Sequence, residues 1–184
     1  MTDLRSSAPP PLDDSDHVRG PTEAPLLLLY GDFACPSCAL ADRRLRRLPL
    51  RYAFRHFALR SKRPRALALA CASEAAARQG AFWPMHDALF DDQGHQDDPH
   101  LWRRAQALGL DLERFEADRR AEVTAARVAR DVTSGLRAGV ALTPTLFVGG
   151  ERHAGPPTPE LLEALAAGIA RAGRGEEPAR ADSM

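Results

Sequence analysis

Two cysteines with two residues between them, in Cys35-Pro36-Ser37-Cys38, are the side chains of this sequence best suited to covalent chemistry. The thiolate is the reactive form, and an ordinary thiol with pKa about 8.5 is only about 3% thiolate at pH 7. A helix beginning at this segment changes that. Its first turn carries unpaired N–H groups and the positive end of the helix dipole, both of which favour an anion. Such sites lower a cysteine pKa to roughly 3.5–7.5. Residues three apart on a helix share a face, so the two sulfurs can meet. The spacing therefore predicts Cys35 as the attacking thiolate. Cys38, one turn in and expected to be more shielded, is the thiol that resolves the mixed disulfide.

The flanking sequence supplies elements to hold that pair. Leu26-Leu27-Leu28-Leu29-Tyr30 reads as a buried strand between Pro25 and Gly31. A helix is expected over 35–48. Leu40, Ala41, Leu45 and Leu48 recur at helical spacing, Arg43, Arg44, Arg46 and Arg47 fill the other face, and Pro36 sits where its missing N–H is harmless. The alternating, aromatic segment 51–57 predicts a second strand. A helical region follows over about 64–137. It has a stop at Gly80, a start at Asp98-Pro99 and an N-cap at Asp111, from which one last helix extends to Leu136. Thr145 to Val148 is a third strand, Gly149-Gly150 a two-residue hairpin turn, and Glu151 to Ala154 an edge strand. Thr158 caps a terminal helix that carries Pro159 at its first position and Glu160 and Glu163 near its positive end.

Composition narrows the functional classes. The 184 residues, 44% apolar, fit one domain with an inserted subdomain. Lys+Arg and Asp+Glu are both 25, so no net field favours nucleic acid or an anionic membrane, and no stretch approaches the roughly 20 apolar residues of a membrane span. Residues 1–11 have no basic start and no apolar run, which predicts a cytoplasmic protein. Residues 1–15 and 172–184 have the composition of disordered tails. In a reducing compartment a close cysteine pair is redox-active or metal-binding rather than structural. Zinc is the rival, but Cys71 and the six histidines form no second close ligand pair, so no metal and no cofactor is expected. Cys71, between alanines, reads as a core residue, while His56 reads as structural and His86 as a weaker candidate for the site.

Several stretches occur together in the order of one family. They are 16–21 (Asp-His-Val-Arg-Gly-Pro), 30–38 ending in Cys35-Pro36-Ser37-Cys38, Phe54-Arg55-His56-Phe57, 79–87 (Gln-Gly-Ala-Phe-Trp-Pro-Met-His-Asp) and 139–148 containing Thr143-Pro144-Thr145. On these the chain resembles DsbA-like members of the thioredoxin family, in particular a compact bacterial group, over about Asp16 to Ala170. The resemblance implies an α/β thioredoxin-like fold built from 16–61 and 139–171, with a helical subdomain, 62–138, inserted between a βαβ half and a ββα half. It implies disulfide exchange with protein thiols and disulfides or with glutathione, and a separate redox partner. It also implies a cis proline at Pro144, next to Thr143, that keeps neighbouring backbone free to pair with an extended substrate segment.

Two positions depart from the family pattern. Relatives often carry an acidic residue six positions before the first cysteine, where this chain has Leu29, and Asp32 is nearer but is not the matching position. Ala58 stands where many relatives have proline. The direction of electron flow is open. A couple near −120 mV facing a glutathione pool near −240 mV lies about 5.6 kcal/mol out of balance, so in the cytoplasm it would be held as the dithiol. The alternatives are a non-redox, chaperone-like peptide-binding module, or a relative of the glutathione-transferase and isomerase kind. Cys38 speaks against the latter, which typically uses a single active residue.

Overall fold

The computed structural model of the chain describes residues 8–59 and 61–173. In chain order these form β1 (His17–Arg19), β2 (Leu26–Gly31), α1 (Pro36–Leu45), β3 (Arg51–His56), α2 (Ala66–Ala77), α3 (Phe82–Asp91), α4 (Asp98–Ala107), α5 (Leu112–Arg120), α6 (Glu122–Arg137), β4 (Thr145–Val148), β5 (Glu151–Ala154) and α7 (Pro159–Gly173). The strands make one mixed sheet in the order β1-β3-β2-β4-β5. β2 and β3 are parallel and every other pair is antiparallel. A parallel pair needs a crossover, which α1 provides. This is the thioredoxin-like α/β fold expected from the sequence, with α2 to α6 filling the interval between the β2–α1–β3 half and the β4–β5–α7 half.

β2 reads as an unbroken apolar run because both of its faces are covered. Leu27 and Leu29 join the larger core with Phe33, Phe54 and residues of α1, α2 and α3. Leu28 and Tyr30 join a second cluster with Phe57, Val140 and Phe147. Each such side chain, fully buried, contributes about 1.5–3 kcal/mol. The β4–β5 turn is the expected pair of glycines, with φ of +57° at Gly149 and +89° at Gly150, values that disfavour any residue with a Cβ. Both expected helix caps form. Asp111 accepts from the Arg114 N–H at 2.9 Å, and Thr158 Oγ1 from the Leu161 N–H at 3.3 Å.

Three expectations are corrected. The helix expected to run from Asp111 to Leu136 is two helices, because Ala121 is extended at φ −66°, ψ 138° and starts α6 afresh. Helix α1 stops at Leu45, three residues before the expected end. The proline-rich segment before Asp16 is packed from residue 10 onward, where disorder was expected. Arg55, almost fully buried, pairs with both Asp16 oxygens at 2.7 Å and donates to the carbonyls of Pro10 and Pro11 at 3.0 Å. That anchoring also aligns β1, a strand too short to show a pattern, against β3. Residues 1–7 and 174–184 of the expected tails lie outside the described residues, while 172 and 173 belong to α7.

A cavity of about 670 Å³ opens where β2 begins and β4 ends, between Leu26, Val148 and the α7 residues Leu161 and Leu165. It lies at the end of the sheet away from the cysteines, which follow the last residue of β2. No helix among the described residues is long and apolar enough to cross a membrane.

Candidate active site

β2 delivers the chain to the cysteine pair through a tight turn. A Cβ at Gly31 would lie 2.6 Å from both Leu29 Cδ2 and Phe54 Cε2, so the close approach of these side chains requires glycine there. Phe33 then turns inward and packs on Phe54 and Phe90 with ring centroids 5.2 and 4.8 Å away. The Cys35 N–H reaches back to the Asp32 carbonyl at 3.0 Å. Cys35 is the residue just before α1, extended at φ −96°, ψ 115°, with Pro36 at the first helical position. Its carbonyl accepts from the N–H groups of Cys38 at 3.0 Å and Ala39 at 3.2 Å. Pro36 and Ser37 are exposed.

Cys35 and Cys38 are free thiols at 1% and 0% exposure. Cys38 lies deeper, as expected, and burial is the first cause of its shift, whereas at Cys35 hydrogen bonding outweighs burial. The Cys35 pKa is lowered to about 5 by the Cys38 thiol, against its own burial, with help from Thr143, the Cys38 N–H and the Arg63 charge. The Cys38 thiol is pushed far above the ordinary range by burial and by the neighbouring Cys35. The Asp32 N–H lies 3.5 Å from Cys38 Sγ. The motif thus makes one ready thiolate and one strongly held thiol within a single helical turn.

The far side of the site comes from the start of β4. The Thr143–Pro144 peptide bond is cis, and the Thr143 carbonyl oxygen lies 3.4 Å from Cys35 Sγ. Pro144 is buried and Thr143 half-buried. The Pro144 carbonyl accepts from the Gly155 N–H at 2.8 Å, and Thr145 Oγ1 donates to the Leu142 carbonyl at 2.7 Å, which fixes this loop to the hairpin. Beside Thr143 a small pocket of about 110 Å³ is lined by Leu59, Lys62, Arg63, Ala141 and Leu142. Gln93 donates to the carbonyls of Phe33 at 2.7 Å and Cys35 at 3.0 Å, tying the end of α3 to the cysteine loop.

Leu29 is fully buried and pairs with Phe54 and Leu146, so that position holds no proton carrier. Asp32 is 2% exposed, accepting from the Ala34 N–H at 2.8 Å and from Arg63 at 3.2 Å. Burial raises its pKa against those bonds.

Two buried groups of titratable side chains were not foreseen as clusters. In the first, His17 and His56 place Nε2 2.8 Å from the same Glu74 Oε1, with His17 stacked on Phe82. In the second, Asp42, His86 and Asp87 meet between α1 and α3. Each group has the spacing of a metal-ligand set, and neither cysteine belongs to one. Arg19 and Arg46 face the second group, which disfavours a cation there. One sequence signal for the second group was available. Asp42 follows Cys38 by four residues and precedes Leu45 by three, which puts a carboxylate on the apolar stripe of α1. Cys71, also buried, has its pKa raised to about 11, first by burial.

Comparison with known proteins agrees with this architecture. The sequence profile of the family described as thioredoxin matches residues 13–166. The sodium/proton antiporter NhaA 3 of Salinispora tropica is 46% identical over 164 residues, covering 84% of this chain but 25% of the antiporter. NhaA 1 of Mycolicibacterium vanbaalenii is 44% identical over 167 residues, covering 84% of this chain and 27% of that protein. The chain thus spans about a quarter of the length of these curated relatives. Among solved structures, a thioredoxin-like oxidoreductase from Silicibacter pomeroyi superposes with a TM-score of 0.75 at 24% identity, over 88% of this chain and 94% of the other. BdbD from Bacillus subtilis, in its oxidised form, gives 0.73 at 20% identity over 90% and 97%. Alpha-DsbA1 of Wolbachia pipientis gives 0.73 at 20% identity over 90% and 96%. These similarities define the fold.

Proposed function

The chain belongs to the thioredoxin family, and from that premise we propose that it is a thiol–disulfide oxidoreductase in which Cys35 attacks and Cys38 resolves. The observation that carries this reading is the opposed acidity of two sulfurs within one turn, Cys35 lowered to about 5 and Cys38 pushed the other way. At neutral pH the Cys35 thiolate attacks one sulfur of a substrate disulfide. One S–S bond breaks, a mixed disulfide forms, and the first substrate sulfur leaves with the electron pair. Cys38 then loses its proton and attacks the Cys35 sulfur. The second substrate thiol is released, and the protein is left with a Cys35–Cys38 disulfide. The substrate gains two electrons and the protein loses two. An external dithiol or glutathione returns them.

The Thr143–Pro144 backbone beside Cys35 is the surface that would pair with an extended substrate segment. Arg63 and Lys62, in the adjoining pocket, suit a substrate with a carboxylate close to its disulfide, such as an acidic peptide or glutathione. A stable thiolate stabilises the reduced protein and makes its disulfide more oxidising. In the reducing cytoplasm, the location we propose, such a couple rests as the dithiol and acts first as a thiol.

Reduction of insulin by the wild-type protein and by C35S tests this reading. Wild type is expected to precipitate the insulin B chain at a rate that C35S lowers to background. Alkylation of Cys35 by iodoacetamide is expected to rise with pH through a midpoint near 5. Equal insulin rates in the two proteins, or an alkylation midpoint above 8, would exclude this mechanism and leave the peptide-binding alternative.

A further inference from the structure

The second step of the proposed reaction leaves a chemical demand unmet. Cys38 must give up a proton at a site where burial holds that proton tightly. Leu29 cannot take it. The Asp32 oxygens already accept from Ala34 and Arg63. A buried acceptor with free valence is needed elsewhere.

One exists on the same helix. Asp42 is 0% exposed and lies four residues after Cys38 on the buried face of α1, where such residues are about 5–6 Å apart at Cβ. Helical side chains lean toward the helix N-terminus, so the Asp42 carboxylate covers the turn that carries Cys38. Among the described residues neither of its oxygens has a hydrogen bond, although Arg46 Nε lies 2.7 Å from Oδ2 as an ion pair. His86 faces it from α3, also at 0% exposure. His86 Nδ1 lies 2.8 Å from Asp87 Oδ1, and that carboxylate also accepts twice from Arg19 at 2.9 Å, so it is the acceptor and Nδ1 the donor. His86 Nε2 is then a bare lone pair. It is unpartnered and 3.9 Å from Asp42 Oδ1. Two buried acceptors that face each other across this gap are frustrated until a proton comes between them.

The surroundings agree. The Tyr52 hydroxyl, buried on β3, is likewise unpartnered. Its pKa is pushed up by burial first and then by Asp42, and Cys38 adds in the same direction, so this hydroxyl sits within the field of both groups. The charged groups facing the pair are Arg19 from β1, Arg46 just after α1, and Asp87 and Asp91 from α3. Arg19 lies flat over Trp83 at 4.3 Å and over Tyr52 at 5.3 Å, with its NH2 3.6 Å from Asp42 Oδ1. Burial raises Asp42 to about 6 and lowers His86 to about 4. An acceptor that titrates close to neutral pH is the efficient kind.

We propose that the buried Asp42–His86 pair, one helical turn behind Cys38, takes up the proton that Cys38 sheds when it resolves the mixed disulfide. The inference rests on the redox reading above. In the step, the Cys38 S–H bond breaks and its proton passes to the Asp42 carboxylate. The sulfur's electron pair forms the Cys35–Cys38 bond, and the substrate sulfur leaves as thiolate. In the return direction the same proton goes back to Cys38.

The test mixes reduced protein rapidly with 5,5′-dithiobis(2-nitrobenzoate) and follows the coloured thiolate across pH 5 to 8.5. Cys35 attack releases the first equivalent and Cys38 resolution the second, and C38S, which gives only the first, identifies the phases. In wild type the rate of the second release is expected to rise through a midpoint near 6, the Asp42 value. D42N is expected to lose that rise and to slow the second release about a hundredfold at pH 7, the lower end for a positioned proton acceptor. H86Q, the second variant, is expected to slow the same phase without moving the first. A D42N second phase that matches wild type in rate and pH profile, or loss of the rise in D32N instead of D42N, overturns the inference and leaves the redox reading standing. A wild-type protein that gives neither release overturns both.

Discussion

Two buried histidine–carboxylate clusters sit under the same sheet and are wired in opposite ways. In the His17–Glu74–His56 group, one carboxylate oxygen receives two imidazole nitrogens at 2.8 Å. In the Asp42–His86 group, both carboxylate oxygens, the imidazole Nε2 and the Tyr52 hydroxyl lack hydrogen bonds. The electrostatics follow the wiring. The two imidazoles hold Glu74 well below the usual carboxylate range despite its burial, whereas burial wins at Asp42 and raises it to about 6. A satisfied cluster fixes structure, because it joins β1, β3 and α2 at one point. An unsatisfied one conserves a vacancy for a proton at a cost in stability.

Three measurements can break or sharpen that contrast. The largest effect is expected from E74A. It strands two imidazole donors, that of His56 buried and that of His17 half-buried, and is expected to lower the unfolding free energy in urea by about 3 kcal/mol, whereas E74Q, which keeps the acceptor oxygen, is expected to cost about 1 kcal/mol. An E74A protein as stable as wild type would show that the cluster anchors nothing.

The next concerns acid stability. Glu74 has a folded pKa below its unfolded value of 4.5, so its stabilisation is present above that value and is lost as pH falls below it. Asp42 has the opposite sign. It binds a proton more tightly when folded, between 3.8 and about 6, so it favours the native state as pH falls through that window. His86 titrates from 6.5 unfolded to about 4 folded, and so opposes Asp42 by destabilising the fold on acidification. In wild type these two contributions offset each other. D42N leaves His86 alone, and its unfolding free energy is expected to fall more steeply than that of wild type from pH 6.5 to 4. Parallel curves for the two proteins would mean that Asp42 does not titrate in the native state.

The smallest effect is expected from D42N at pH 7. Replacing a carboxylate without hydrogen bonds by an isosteric amide is expected to change stability by less than about 1 kcal/mol. A loss as large as that of E74A would make Asp42 a structural residue like Glu74.

The two clusters also show where reading the sequence stops. Cys35, Cys38 and their helix were legible because the signal is local, with three-residue spacing, a preceding strand and a proline at the helix start. Gly149-Gly150 and the cap at Asp111 were legible for the same reason. Pro144 was placed beside the cysteines only through family resemblance. The three-residue β1 was missed because its pairing with β3 depends on Arg55 gripping Asp16 from a distant strand. The break at Ala121 was missed because alanine is a good helix former and nothing local ends the helix. Glu74 and His17 are 57 residues apart in sequence, so only the folded chain brings them together. Asp42 was the partial exception: its position on the apolar stripe of α1 was readable, but the identity of the side chain facing it was not.

The 670 Å³ cavity at the far end of the sheet carries one more consequence. Pro9, Pro10 and Pro11 line it from the start of the described chain, and Gly168 and Arg171 line it from the last turns of α7. The first described residues and the last turns of α7 therefore lie together at the pole opposite the sulfurs. Neither segment covers Pro36 and Ser37, which stay exposed at the other pole.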